Sequence, residues 1–152
     1  MTISRRKFIH LLSLGSTACI SLLNPVSAWA IWAHKAFNAD ELDTAYQNLF
    51  GSSTLTQSND VILKLPKIAE NGAAVPISIK TDMIGVESIS IFVKDNPLPL
   101  TASFQIPNGT IAKISTRIRL AQTSTVTAVV KVGDQLYSQS QEVSVTHGGC
   151  GA

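Results

Sequence analysis

Charged residues are scarce in this chain. They make up 14% of its 152 residues, and the formal net charge is only +2. A composition this poor in charge gives neither the strongly basic surface of a nucleic-acid-binding domain nor the charge-rich sequence of a disordered chain. The length leaves room for one domain, so the sequence indicates a small globular protein.

Cysteine is equally scarce. The chain has two, Cys19 and Cys150, and they are too far apart to form a CxxC pair. The sequence also lacks a Cys/His metal cluster and a phosphate-cradling loop. We therefore expect neither a metal nor a cofactor.

The first thirty residues have the three parts of an export signal. Residues 5–7 are basic, residues 8–23 form an apolar stretch too weak for a membrane span, and residues 28–30 form a small-x-small cleavage site. Residues 4–8 also resemble the twin-arginine motif, which directs folded proteins to export. We expect a periplasmic protein that is exported by the twin-arginine route. The alternative is an ordinary secretory signal whose arginines are merely basic.

Cleavage after Ala30 decides which cysteine the mature protein keeps. Residues 16–19 loosely resemble a lipoprotein box, but Ser16 stands where leucine is usual, so we expect Cys19 to be lost with the signal. Cleavage would remove three of the twelve Lys and Arg residues and leave nine against ten Asp and Glu. A nearly neutral protein argues against binding to nucleic acid or to a membrane. Its single cysteine, Cys150, would enter a compartment in which disulfides form readily.

One helix is predicted near the start of the mature chain. Asn38 can cap it, Glu41 follows in the capping-box position, and Gly51 ends it. Between them, apolar residues recur at helical spacing: Leu42, Ala45, Tyr46, Leu49 and Phe50.

From Val61 onward the sequence changes to short segments of alternating polarity, separated by turn residues. Ile89 and Ile91, for example, alternate with Ser88 and Ser90, which predicts strands with one buried face. Seven strands are predicted, at residues 61–65, 75–80, 86–94, 101–106, 110–120, 125–132 and 135–146. This pattern predicts an all-β fold, an immunoglobulin-like antiparallel sandwich over residues 31–146 with the helix packed alongside.

The last six residues, 147–152, break the strand pattern. Gly148, Gly149 and Gly151 surround Cys150, and glycine leaves the backbone nearly unrestricted. At roughly 3.3 Å per residue, residues 147–151 could span about 17 Å. We expect a flexible arm that carries a thiol into the active site of another protein.

The thiol lacks the partners that a cysteine enzyme needs. His147 is the nearest possible base, but nothing in the sequence fixes its position, and no motif places His34 beside Cys150. This favours a cysteine that carries a group over one that catalyses a reaction. Two alternatives are an exported scaffold or adhesion module whose Cys150 forms an intermolecular disulfide, and an autonomous thiol enzyme.

The sequence resembles the SoxY family, the periplasmic sulfur carriers of bacterial thiosulfate oxidation. The resemblance covers nearly the whole mature chain. It rests on the segments 68–77, 96–99, 115–119 and 145–150, and the twin-arginine signal agrees with it.

The resemblance implies a covalent carrier that is not an enzyme. In that family the C-terminal cysteine, here Cys150, holds the sulfur intermediates. A haem protein conjugates thiosulfate to the thiol, a hydrolase releases sulfate, and further enzymes follow. The family also binds a small β-protein, SoxZ, as a heterodimer. One departure is Ala152, which stands where the family usually ends in glycine.

Arg117 and Arg119 are predicted to share one strand face, with Ile118 and Leu120 facing the core. The two guanidinium groups could contact an acidic partner or attract thiosulfate. A solvated charged face is an equally good interpretation of the pattern.

Overall fold

The computed structural model describes residues 34–146. The predicted export signal and the predicted C-terminal arm lie outside the described residues, so both stay predictions. Within residues 34–146, no helix is long and apolar enough to cross a membrane.

The predicted helix is present as α1, Leu42–Phe50. Gly51 ends it as predicted, in the left-handed conformation with φ 73°, and its N–H donates to the carbonyl of Gln47. The predicted start is wrong. Glu41 occupies the N-cap without a side-chain hydrogen bond, while Asn38 ends the preceding helical turn and donates from Nδ2 to the carbonyl of His34 at 2.9 Å.

All seven predicted strands are present, and two short strands accompany them. In chain order the strands are β1 (Thr56–Gln57), β2 (Val61–Lys64), β3 (Ile68–Ala69), β4 (Val75–Thr81), β5 (Val86–Val93), β6 (Leu100–Gln105), β7 (Lys113–Ile118), β8 (Ser124–Val132) and β9 (Gln135–Val145). A 3-10 turn, Gly72–Ala74, precedes β4. The additional strands are β1 and β3, which have two residues each and too little length for a polarity pattern.

The strands form two sheets. The large sheet has the order β1-β9-β8-β5-β6, with β3 also paired to β9, and the small sheet has the order β2-β4-β7. Neighbouring strands are antiparallel except that β1 and β3 run parallel to β9. The predicted immunoglobulin-like sandwich is confirmed, with these two parallel pairings added.

The turn between β8 and β9 follows from its two residues. Val132 pairs with Gln135, so Gly133 and Asp134 alone reverse the chain. Gly133 has φ 57°, and no residue other than glycine has a positive φ in the described chain. This is the pattern of a type II′ turn, whose twist matches that of the strands it joins.

The core between the two sheets consists of aliphatic side chains. Ile79 of the small sheet faces Ile89 and Ile91 of the large sheet within one cluster, and all three are fully buried. The predicted alternation of β4 is confirmed, because Ile77 and Ile79 are buried while Ser78 is only partly so. Burial of this aliphatic surface is the main term that holds the sheets together.

Part of the outer face of the large sheet is also buried, which the alternating pattern of the strands did not predict. Helix α1 covers it, and the rings of Tyr46 and Phe92 lie 4.4 Å apart between centroids. The prediction that Ser88 and Ser90 face solvent is wrong. Both are buried, and the hydroxyl of Ser90 pairs with that of Ser103 at 2.9 Å, so this buried polar group keeps a hydrogen-bond partner.

Tyr46 is the titratable group most affected by this layer. Burial raises the pKa of Tyr46 from its ordinary value of 10.0 to about 12, a nearby Asp43 adds to the rise, and the hydrogen bond to Thr127 opposes it. The neutral phenol is therefore the form that the fold stabilises.

We predict that Tyr46→Phe changes the alkaline dependence of stability. Because the folded-state pKa is the higher one, Tyr46 stabilises the fold fully below pH 10 and loses this contribution, roughly 2 to 3 kcal/mol, as the pH rises through about 12. The variant should be about 1 kcal/mol less stable near neutral pH, having lost a hydrogen bond. In urea unfolding the difference should shrink above pH 10 and reverse as the pH approaches 12, where the variant should be about 1 to 2 kcal/mol more stable than the wild type. Parallel losses in both proteins would contradict the prediction.

Candidate functional site at the root of the C-terminal arm

The strand that leads to the arm is held on both of its edges. Strand β9 pairs with β8 along Gln135 to Val143. Its other edge pairs with β1 at its beginning and with β3 at its end, where Ile68 and Ala69 lie opposite Ser144 and Val145. An inner strand of a sheet has few unpaired backbone groups, so β9 stays ordered up to its last residue.

Hydrogen bonds continue beyond this pairing. The N–H groups of Ser144 and Thr146 donate to the carbonyls of Lys67 and Ala69 at 2.9 and 3.1 Å. The N–H of Val145, on the opposite edge, donates to the hydroxyl of Thr123 at 3.0 Å. We call residues 67–73, 119–124 and 143–146 the arm root. The chain is therefore fixed through Thr146, the last described residue.

Two local features bring residues 67–73 to this position. Pro66 lies shortly after β2. Because proline has no N–H to donate, the pairing of this segment with the small sheet ends there. The next strand, β3, then pairs within the large sheet. Asn71 then accepts from the N–H of Ala73 at 2.8 Å and starts the 3-10 turn. The carbonyl of buried Gly72 accepts from the N–H of Leu120 at 2.8 Å.

Asn96 ties the loop after β5 to the same region. Its Nδ2 donates to the carbonyl of Arg119 at 2.8 Å, and its Oδ1 accepts from the N–H of Ala121 at 2.9 Å. From the sequence alone, Asn96 is interpreted only as part of an interruption between two strands. The segments that resemble SoxY, 68–77, 96–99, 115–119 and the beginning of 145–150, thus meet at one end of the sandwich.

The arm root offers attachment rather than catalytic groups. Its contacts include backbone hydrogen bonds and hydrogen bonds of polar side chains, namely Asn71, Asn96, Thr123, Ser124 and Thr146. Within residues 34–146, no three His, Cys, Asp or Glu side chains lie close enough to hold a metal. The predicted attachment residue Cys150, its glycines Gly148, Gly149 and Gly151, and His147 lie outside the described residues.

The arginine prediction concerns the same end of the molecule. Arg117 and Arg119 are exposed while Ile118 and Leu120 are buried, so the predicted division into two faces is confirmed. Arg117 also borders a shallow concave surface of about 630 Å³ on the outside of the small sheet. Its lining includes Lys64, Pro66, Pro76, Ser78 and Ser115. Sequence reasoning did not find this surface, because its residues come from three separate strands.

Comparison with known proteins agrees with this geometry. The model of the family "Sulfur oxidation protein SoxY" matches residues 46–150, a span that includes the arm root and Cys150. The chain belongs to the SoxY family. The structure of the sulfur carrier protein SoxY from Chlorobium limicola f thiosulfatophilum superposes with a TM-score of 0.64 at 39% identity, over 70% of this chain and 97% of that one.

Two other comparisons add nothing to the SoxY assignment. A second matching chain comes from a structure that concerns T cell specificity and activation by the bacterial superantigen toxic shock syndrome toxin-1. Its sequence is 11% identical, over 56% of this chain and 98% of that one. Its TM-score is 0.41, too low to support an argument. No curated protein sequence matches the chain.

We predict that Thr123→Val loosens the arm root of this SoxY family member. The change removes the acceptor of the Val145 N–H and costs about 1 kcal/mol or less globally. Hydrogen exchange at Val145 should accelerate by up to about fivefold, the change that about 1 kcal/mol gives, because exchange at such strand ends proceeds through local opening. Thr110→Val, at the exposed loop before β7, is the control and should leave Val145 unchanged; equal exchange in both variants would contradict the prediction.

Proposed function

We propose that this protein is a periplasmic sulfur carrier that holds thiosulfate-derived intermediates covalently on Cys150. The observation that supports this most directly is the fixed arm root: β9 is hydrogen-bonded up to Thr146, and Cys150 follows only four residues later. The similar protein from Chlorobium limicola is itself described as a sulfur carrier.

The geometry suits a carrier because it combines a rigid base with a short reach. Four residues at roughly 3.3 Å each place the thiol within about 13 Å of Thr146. Gly148, Gly149 and Gly151 add no side chains beside the thiol, so the arm could enter a narrow channel. A fixed base also limits the volume that the thiol has to search, which raises its effective concentration near a docked enzyme.

The proposed loading step is an oxidation. The Cys150 thiol and thiosulfate join through a new S–S bond, releasing one proton and two electrons, and the electrons pass to the haem of the conjugating enzyme. The terminal sulfone then leaves by hydrolysis: one water molecule breaks the bond between sulfur and the sulfone, sulfate and two protons are released, and a persulfide stays on Cys150. The partner enzymes supply the electron acceptor and the activated water, so the carrier itself needs no catalytic group.

The remaining parts of the proposal concern location and assembly. The predicted twin-arginine signal would deliver the protein to the periplasm, where the enzymes of thiosulfate oxidation would meet it. A SoxZ-like small β-protein is the expected heterodimer partner. An immunoglobulin-like sandwich can offer such a partner a sheet edge, and β6 and β7 end their respective sheets.

We predict that Cys150→Ser abolishes loading. The wild-type protein, incubated with thiosulfate and the haem-containing conjugating enzyme, should gain the mass of a thiosulfonate on the peptide that contains Cys150. The serine variant should stay unmodified, because an alcohol oxygen cannot form the S–S bond. Intact-mass and peptide-level mass spectrometry measure both results.

A stable disulfide dimer is the competing outcome of that experiment. If the working form were a dimer joined through Cys150, reduction would abolish its function and no sulfur adduct would appear. An unmodified wild-type protein in a complete reaction would overturn the carrier proposal.

We predict that the double variant Gly148→Val/Gly149→Val separates thiol reactivity from arm mobility. β-branched side chains restrict the backbone and widen the arm, so enzymatic loading should slow by about tenfold or more. A small thiol reagent should still modify Cys150 at nearly the wild-type rate. Ala152→Gly, which restores the usual family ending, is the control and should load at least as fast as wild type; unchanged loading of the double variant would contradict the prediction.

A further inference from the structure

The outer face of the small sheet is strongly basic. Strands β2, β4 and β7 contain four cationic residues and no aspartate or glutamate. We call these four side chains the basic face: Lys64, Lys80, Lys113 and Arg117. The chain after residue 30 has nine Lys and Arg against ten Asp and Glu, so this concentration of positive charge is local.

The register places all four side chains on the same side. Lys80 pairs with Ile62 on one neighbouring strand and with Lys113 on the other, and paired residues project from the same face of a sheet. Lys64 lies opposite Ser78, and Arg117 lies opposite Pro76. The residues that alternate with them on β4 are buried against the large sheet, which leaves the basic face directed to solvent.

Little of this charge is neutralised within the described chain. Lys80 forms an ion pair with Asp82 at 3.0 Å, with both side chains well exposed. Within residues 34–146, Lys64, Lys113 and Arg117 form no ion pair. The basic face therefore keeps a net positive potential towards solvent.

The dimensions favour a protein surface over a small anion. Lys113 and Arg117 are four residues apart on one strand, about 14 Å at roughly 3.4 Å per residue, and the three strands span about 10 Å. Lys64, Lys80 and Lys113 border one concavity, so a small anion bound there would contact these lysines but not Arg117 at the other end of β7. A ligand that uses all four side chains has to be larger. The neighbouring side chains of Ile62 and Pro76 are apolar and exposed, and mixed apolar and charged surface is typical of protein interfaces.

The basic face also adjoins the arm root. Arg117 and Pro76 lie at the end of the small sheet from which the chain continues to Leu120, whose N–H donates to Gly72 of the arm root. An enzyme that processes Cys150 has to bring its active site within the arm's reach of about 13 Å from Thr146. A partner seated at the Arg117 end of the basic face would lie at the same end of the sandwich as the arm root.

We propose that the basic face docks an acidic surface of the enzyme that loads the arm. This inference rests on the carrier function proposed above and goes further, by assigning the docking surface and the charge of the partner. Attraction between the opposite charges raises the association rate and orients the encounter so that the arm faces the active-site entrance.

The test measures loading of Cys150 by the haem-containing conjugating enzyme as a function of carrier concentration. Arg117→Glu and Lys64→Glu should each lower kcat/KM by about fivefold to tenfold in low salt, through a higher KM for the carrier. The defect should shrink as salt rises from about 20 to about 300 mM. Lys35→Glu is the matched control, since Lys35 is exposed beside the helical layer on the opposite side of the sandwich, and it should behave as wild type.

Several results would overturn the inference. Equal kcat/KM for Arg117→Glu and Lys35→Glu at all salt concentrations would exclude docking on this face. A changed KM for thiosulfate would assign the face to the small anion, and loss of the heterodimer would assign it to the subunit interface. Failure of the wild-type protein to load at all would instead reject the carrier function, and a small thiol reagent verifies that Cys150 is intact in every variant.

Discussion

The double-sided pairing of β9 is the constraint on which the rest of this structure depends. On one edge, β9 joins β8 through a two-residue turn. On the other edge it accepts β1 and β3, which lie far from it in the sequence. Without β3, the end of β9 would be an open edge and the arm would begin from a frayed strand. The pairing thus fixes the position of Thr146, after which the glycine-rich C-terminal sequence follows.

The sequence predicted the elements whose burial follows from their own residues. Ile77 and Ile79 alternate with polar neighbours because one face of β4 meets the core, and Gly51 and Gly133 mark chain reversals that need a positive φ. The alternation of Ser88 and Ser90 with Ile89 and Ile91 predicted one exposed face, yet both serines are buried, because burial by tertiary neighbours leaves no trace in the local pattern. Strand β3 could not be predicted for a similar reason. Its two residues form a strand only because they pair with the edge of β9.

In the candidate site, too, some residues could be recognised from the sequence and others could not. Cys150 and its glycines were singled out from the sequence alone, because an isolated thiol among glycines has few structural uses, and their role stays a prediction. Thr123 could not, since its role is to accept one backbone N–H from a strand that begins twelve residues later. The basic face needed the register of three strands before Lys64, Lys80 and Lys113 could be recognised as neighbours. Position in the fold, rather than residue type, identifies such groups.

The position of β9 in the chain also has a consequence for biosynthesis. Every strand that pairs with β9 precedes it in the sequence, and both β1 and β3 need it to complete their hydrogen bonds. Contacts of such long sequence separation form late in folding. The large sheet therefore cannot complete its pairing until residue 145 has been translated, and the strand that leads to the glycine-rich sequence is among the last parts of the fold to be hydrogen-bonded.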